Sequence, residues 1–121
     1  MLTENFSINE FHCKDGTPVP SELFANIKEL AENLQKIRDF IGIPILITSG
    51  YRTKEYNKKV GGKPNSLHLQ GKAADLKTKL KSKDLYNIII DLIDKGVIKQ
   101  GGVGLYDSFV HYDIRGTRAR W

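Results

Sequence analysis

The stretch Ser66-Leu67-His68-Leu69-Gln70-Gly71-Lys72-Ala73-Ala74-Asp75 sets an imidazole and a carboxylate seven positions apart, with a glycine between them. Val110-His111-Tyr112-Asp113 supplies a second imidazole with a carboxylate two positions on. Two histidines and one or two aspartates suit a zinc site, because zinc accepts imidazole nitrogen and carboxylate oxygen, and catalytic zinc takes three protein ligands plus a water. Gly71 can adopt a positive φ and let the chain reverse between His68 and Asp75. Strand side chains alternate, so Ala73 and Asp75 share one face, as do His111 and Asp113. If the two strands are neighbours, His68, Asp75 and His111 can converge on one ion with Asp113 beside it. An isolated His-x-Asp is weak by itself, since histidines more often serve as hydrogen-bonded surface or core residues.

The elements that must position these residues are legible from apolar spacing. Leu23, Phe24, Ile27, Leu30, Ala31, Leu34, Ile37 and Ile41 recur at three- and four-residue steps and predict a helix over 21–41, stopped by Gly42. Pro44 to Gly50 reads as a short buried strand. Thr53 caps a short helix over 53–60 that Gly61-Gly62 closes. Residues 73–78 form the strand carrying Asp75. Ser82 caps a second amphipathic helix of about a dozen residues, ended by Gly96. Residues 103–106 and 109–114 make two strands joined by a turn at Asp107-Ser108. Residues 1–20 look irregular, with Phe6 and Phe11 as core anchors. The His12-Cys13 pair lacks the paired spacing of a structural zinc site. The fold class is α+β, a small mainly antiparallel sheet with helices packed on it, in one domain over 1–121.

Taken together, Ser66-x-His68-x-x-Gly71-x-Ala73-x-Asp75 and His111-x-Asp113 resemble the zinc D-alanyl-D-alanine carboxypeptidase family. That family includes vancomycin-resistance dipeptidases and phage endolysin peptidases and shares its fold with the hedgehog signalling domain. Ser49-Gly50-Tyr51-Arg52, Asn57 and Gly102-Val103-Gly104-Leu105-Tyr106 add to the resemblance. It implies one Zn2+ held by His68, Asp75 and His111, and hydrolysis of peptidoglycan stem peptides at D-Ala-D-Ala or at L-Ala-D-Glu. It gives Arg52 a place facing the zinc, either stabilising the developing oxyanion or gripping a substrate carboxylate. Tyr51 and Ser66 join Arg52 as substrate-binding candidates, although Ser66 reads equally well as a local backbone partner.

The general base is where this sequence departs from its better-known relatives. They carry an acidic residue three positions before the last zinc histidine, and here that position is Ser108. Asp113 is the first choice for base and Asp107 the second. The alternative for Asp113 is a partner that orients a zinc-bound histidine. A zinc-holding wall-binding or structural module without activity is the competing function.

Composition narrows the field. The chain has 121 residues, enough for one core, with 40% hydrophobic and 27% charged residues. No apolar run is long enough to span a bilayer. The first residues lack a basic segment followed by an apolar one, so no secretory signal is read there. Cys13 is the only cysteine, which excludes an intrachain disulfide. Net charge is +5, from 19 Lys and Arg against 14 Asp and Glu. That draws a protein to polyanions, either the anionic polymers of a bacterial wall or nucleic acid, and no nucleic-acid motif supports the second. The expectation is a monomer made in the cytoplasm that acts on the cell wall, as a phage or prophage lytic enzyme does. The basic tail Arg115 to Trp121 reads as a packed terminal strand or loop, with an anionic polymer as its other possible partner.

Overall fold

The computed structural model describes residues 1–121. Its centre is a five-stranded sheet in the order β1-β2-β4-β3-β5, built from β1 (Leu46–Ser49), β2 (Ala73–Lys77), β3 (Gly102–Leu105), β4 (Val110–Asp113) and β5 (Ala119–Arg120). All neighbours are antiparallel except β3 and β5. The helices are α1 (Phe24–Ile41), α2 (Lys54–Lys59) and α3 (Ser82–Asp94). This is the α+β architecture that the apolar pattern implied.

Strand parity separates the core from the chemistry. β2 and β4 pair with Ala74 opposite Tyr112 and Leu76 opposite Val110. These four side chains are fully buried and join Ile27, Leu30, Leu34 and Ile37 of α1 and Leu85 and Ile89 of α3 in one core of 21 residues. The intervening positions, Asp75 opposite His111 and Ala73 opposite Asp113, necessarily face the other way. Removing a fully buried leucine leaves a void the surroundings only partly fill. Leu34→Ala is therefore expected to lower unfolding free energy by about 2–5 kcal/mol, measured by urea denaturation.

Some boundaries differ from the sequence expectation. Residues Ser21–Leu23 form a 3-10 turn before α1 begins at Phe24, with the Leu23 N–H donating to the Pro20 carbonyl at 3.0 Å. Phe24 itself is 48% exposed. β1 is an edge strand and not a buried one: Ile45 and Ile47 point inward while Leu46 is 61% exposed. Its pairing with β2 shifts register between Ile47 and Ser49, and such irregularities bend a strand and re-aim the side chains beyond the bend. The chain leaving it carries Gly50 and Arg52. Ser82 does not cap α3 with its side chain; its hydroxyl donates instead to the Asp107 carbonyl at 3.2 Å. No helix is long and apolar enough to cross a membrane.

Candidate metal centre

His68 sits in a 3-10 turn, Leu67–Gln70, that Ser66 caps by accepting the His68 N–H at 3.2 Å. Gly71 ends the turn at φ +68°, a conformation that a residue with a Cβ rarely adopts. The reversal delivers the chain into β2 and brings Asp75 back beside His68. His111 arrives from β4, directly across from Asp75. One ligand atom from each of the three lies within 4.8 Å of the others, and all three residues are buried.

The hydrogen bonds fix which atoms face one another. His68 Nδ1 lies 2.8 Å from the Gly50 carbonyl, which can only accept, so Nδ1 carries the hydrogen and Nε2 keeps its lone pair. His111 Nε2 lies 2.7 Å from Asp113 Oδ2, which by the same reasoning leaves the lone pair on Nδ1. Those two nitrogens each stand 3.3 Å from Asp75 Oδ1. Three lone-pair atoms thus converge, an arrangement that a shared cation reconciles. A tetrahedral zinc with bonds of about 2.0 Å would hold its ligands about 3.3 Å apart; both imidazole–carboxylate pairs stand at that spacing, and all three atoms lie within 4.8 Å of one another.

The electrostatics point the same way. Burial pushes the Asp75 carboxyl up, but the neighbouring His111 and His68 imidazoles outweigh it and hold the group below the usual carboxylate range. Burial pushes the His111 imidazole down, yet the Asp113 and Asp75 carboxylates beside it win and raise it. A site where two carboxylates favour positive charge on an imidazole favours a metal cation for the same reason.

Each member of the triad has a support that the sequence shows only in part. Arg52 donates through Nε to Ser49 Oγ (3.0 Å), through one terminal nitrogen to Asn57 Oδ1 (3.2 Å), and through the other to Asp75 Oδ2 (3.2 Å). Its guanidinium faces the triad and holds Asp75. Asn57 is buried and also donates to the Lys63 carbonyl at 2.8 Å. Ser66 accepts the His68 N–H and also lines the cavity, so it serves the local backbone while keeping its place beside the triad. Tyr51 is not brought to the site: its N–H bonds the Phe11 carbonyl and its ring packs on the core. His12 accepts the Val19 N–H through Nδ1, and Cys13 is buried, so that pair is a packed one.

Asp113 is fully buried, behind His111. Its Oδ1 accepts from the Gly102 and Arg115 backbone N–H groups and from Arg115 Nε, and its Oδ2 from Arg115 and His111. Burial alone would raise its carboxyl, but His111, Arg115 and Gly102 hold it below the usual range. The first-choice base, Asp113, thus bonds the His111 imidazole of the triad from behind and does not line the cavity. Close packing at Gly102 makes this possible, since a Cβ there would lie 2.3 Å from Asp113 Oδ2 and 2.8 Å from Arg115. Gly102→Ala is expected to lower stability by about 1–3 kcal/mol and to weaken zinc binding, checked by denaturation with and without the ion.

The family model for Peptidase M15 matches residues 4–113. The chain belongs to the Peptidase M15 family. No curated protein matches it. In this M15 member the matched region holds His68, Asp75 and His111, and the family's zinc dependence agrees with the donor set. The triad opens into a cavity of about 790 Å³. One wall is Gly61, Gly62 and Lys63, and the other is Tyr106, Phe109 and Trp121, with Arg52 and Arg115 also lining it. Asp75 carries the only side-chain carboxylate among the lining residues; Asp107, the second choice for base, is exposed and outside it.

Proposed function

We propose that this M15 chain is a zinc peptidase that hydrolyses peptidoglycan stem peptides, at D-Ala-D-Ala or at L-Ala-D-Glu. The observation that carries the reading is the convergence of three lone-pair atoms at the floor of an open cavity. His68 Nε2, His111 Nδ1 and Asp75 Oδ1 would hold the ion. Bound there, zinc supplies a polarised scissile carbonyl and a water of lowered pKa. Arg52 keeps two N–H groups beyond the three bonded to protein, and these would donate to the carbonyl oxygen as charge develops on it. Gly50 and Asp113 fix the tautomers that keep the two ring nitrogens free. The net charge of +5 suits the anionic wall, and a phage or prophage lytic enzyme is the setting that best fits such a substrate.

Elemental analysis combined with digestion of defined muropeptides tests this. One zinc per chain and new amino termini seen by mass spectrometry are expected. A preparation that holds zinc and leaves every muropeptide intact would overturn the enzymatic reading. It would favour the second one, a zinc-holding wall-binding module, which draws its support from Asp75 being the one side-chain carboxylate on the cavity walls.

A further inference from the structure

The family match ends at residue 113, and residues 114–121 fold back over the metal centre. Trp121 is pinned along β3: its N–H donates to the Val103 carbonyl at 3.1 Å, and its own carbonyl accepts from the Leu105 N–H at 2.8 Å. Between those anchors lies Gly104, directly opposite His111. A Cβ at Gly104 would stand 2.4 Å from Trp121 Nε1 and 2.6 Å from Cε2, so the indole lies flat on the space that a glycine leaves in a strand. The ring centroid is 4.9 Å from that of His111.

The polar tips of this wall are already satisfied. Trp121 Nε1 donates to Tyr106 Oη at 2.8 Å, and the Tyr106 ring stacks on Phe109 at 4.4 Å with an interplanar angle of 9°. Tyr106 remains 42% and Trp121 46% exposed, and both line the cavity that holds the triad. Exposed aromatic surface gathered beside a reactive centre marks a place where something apolar packs. Arg115, 5.5 Å from the indole centroid, with Arg52 and Lys63 on the same cavity, disfavours a cationic occupant and favours a neutral or anionic one.

We propose that Trp121 and Tyr106 form a specificity wall that receives an apolar side chain flanking the scissile amide of a neutral or anionic peptide. This rests on the peptidase reading above. Trp121 is the only tryptophan in the chain, so its emission reports the wall directly. The probe is the stem pentapeptide L-Ala-γ-D-Glu-L-Lys-D-Ala-D-Ala, added to the zinc-loaded and to the metal-free protein. A saturable change in emission is expected in both.

Trp121→Ala and Tyr106→Ala are each expected to raise KM about tenfold, the size of a lost aromatic contact with its buried area. Values of kcat within about threefold of the parent should accompany this, with recovery in Trp121→Phe. Replacing each alanine of the peptide by glycine in turn should identify one position whose loss penalises the parent and not the variants. Tyr106→Ala does not touch His111, so it keeps the test valid if Trp121→Ala fails to fold. Cleavage by the parent with unmoved emission, and unchanged KM in both alanine variants, would overturn the wall and leave the peptidase reading standing. A parent that neither binds nor cuts the peptide or any muropeptide would sink that reading, and the wall with it.

Discussion

His111→Ala should leave a folded protein that holds no zinc. The parent is expected to carry one ion per chain and the variant less than about a tenth of that, read by elemental analysis after dialysis. Three ligands are the minimum for a catalytic zinc, and removing one breaks the convergence that Asp75 Oδ1 makes with both rings at 3.3 Å. The same loss appears in stability. An ion that binds only the folded state at about a thousandfold excess over its Kd adds about 4 kcal/mol. Zinc should therefore raise the parent's melting temperature and leave that of the variant unmoved. His68→Ala is expected to behave likewise, and His12→Ala, outside the site, should bind zinc as the parent does. Retention of stoichiometric zinc in His111→Ala would move the metal away from this triad and remove the basis of the peptidase reading.

The candidate ligand set is legible because it depends on quantities a sequence carries. Parity along β2 and β4 places Asp75 and His111 on the face opposite the core, and Gly71 marks the reversal that returns the chain from His68. The edge position of β1 is not legible, because Ile45 to Thr48 is as apolar as a central strand; only pairing shows that one side lacks a neighbour. The placement of Asp113 escapes the sequence for a related reason. Parity puts it beside His111, but whether a carboxylate faces the cavity or lies behind an imidazole is decided by Arg115 and the Gly102 backbone, and these arrive from outside the motif. The aromatic wall does leave a signal in the sequence, though an incomplete one. Two glycines at alternate positions of one strand, Gly102 and Gly104, announce close approaches on a single face. They do not say that Asp113 approaches the first and the chain's last residue, Trp121, the second.

Asp113→Asn separates a base from a positioning partner. The asparagine retains an oxygen for the Gly102 N–H, but its amide nitrogen can only donate. Turned toward His111 Nε2, that nitrogen meets an N–H, and the imidazole relieves the conflict by moving its hydrogen to Nδ1, the atom that would bind the metal. Turned the other way, the amide sets its donors against Arg115. Either arrangement should weaken zinc binding by about 10- to 100-fold, the usual effect of losing a carboxylate behind a ligating histidine. Stability should fall by about 1–3 kcal/mol, because Arg115 loses its charged partner but is itself one third exposed. Excess zinc should then restore much of the turnover on a muropeptide substrate. A base would behave differently: as a base, Asp113→Asn would keep its zinc and lose kcat at every zinc concentration. The outcome thus turns on a zinc titration of the variant, read as both metal occupancy and rate. Undiminished affinity with a collapsed kcat would return the proton-accepting role to Asp113 and require its carboxylate to reach past His111 into the cavity.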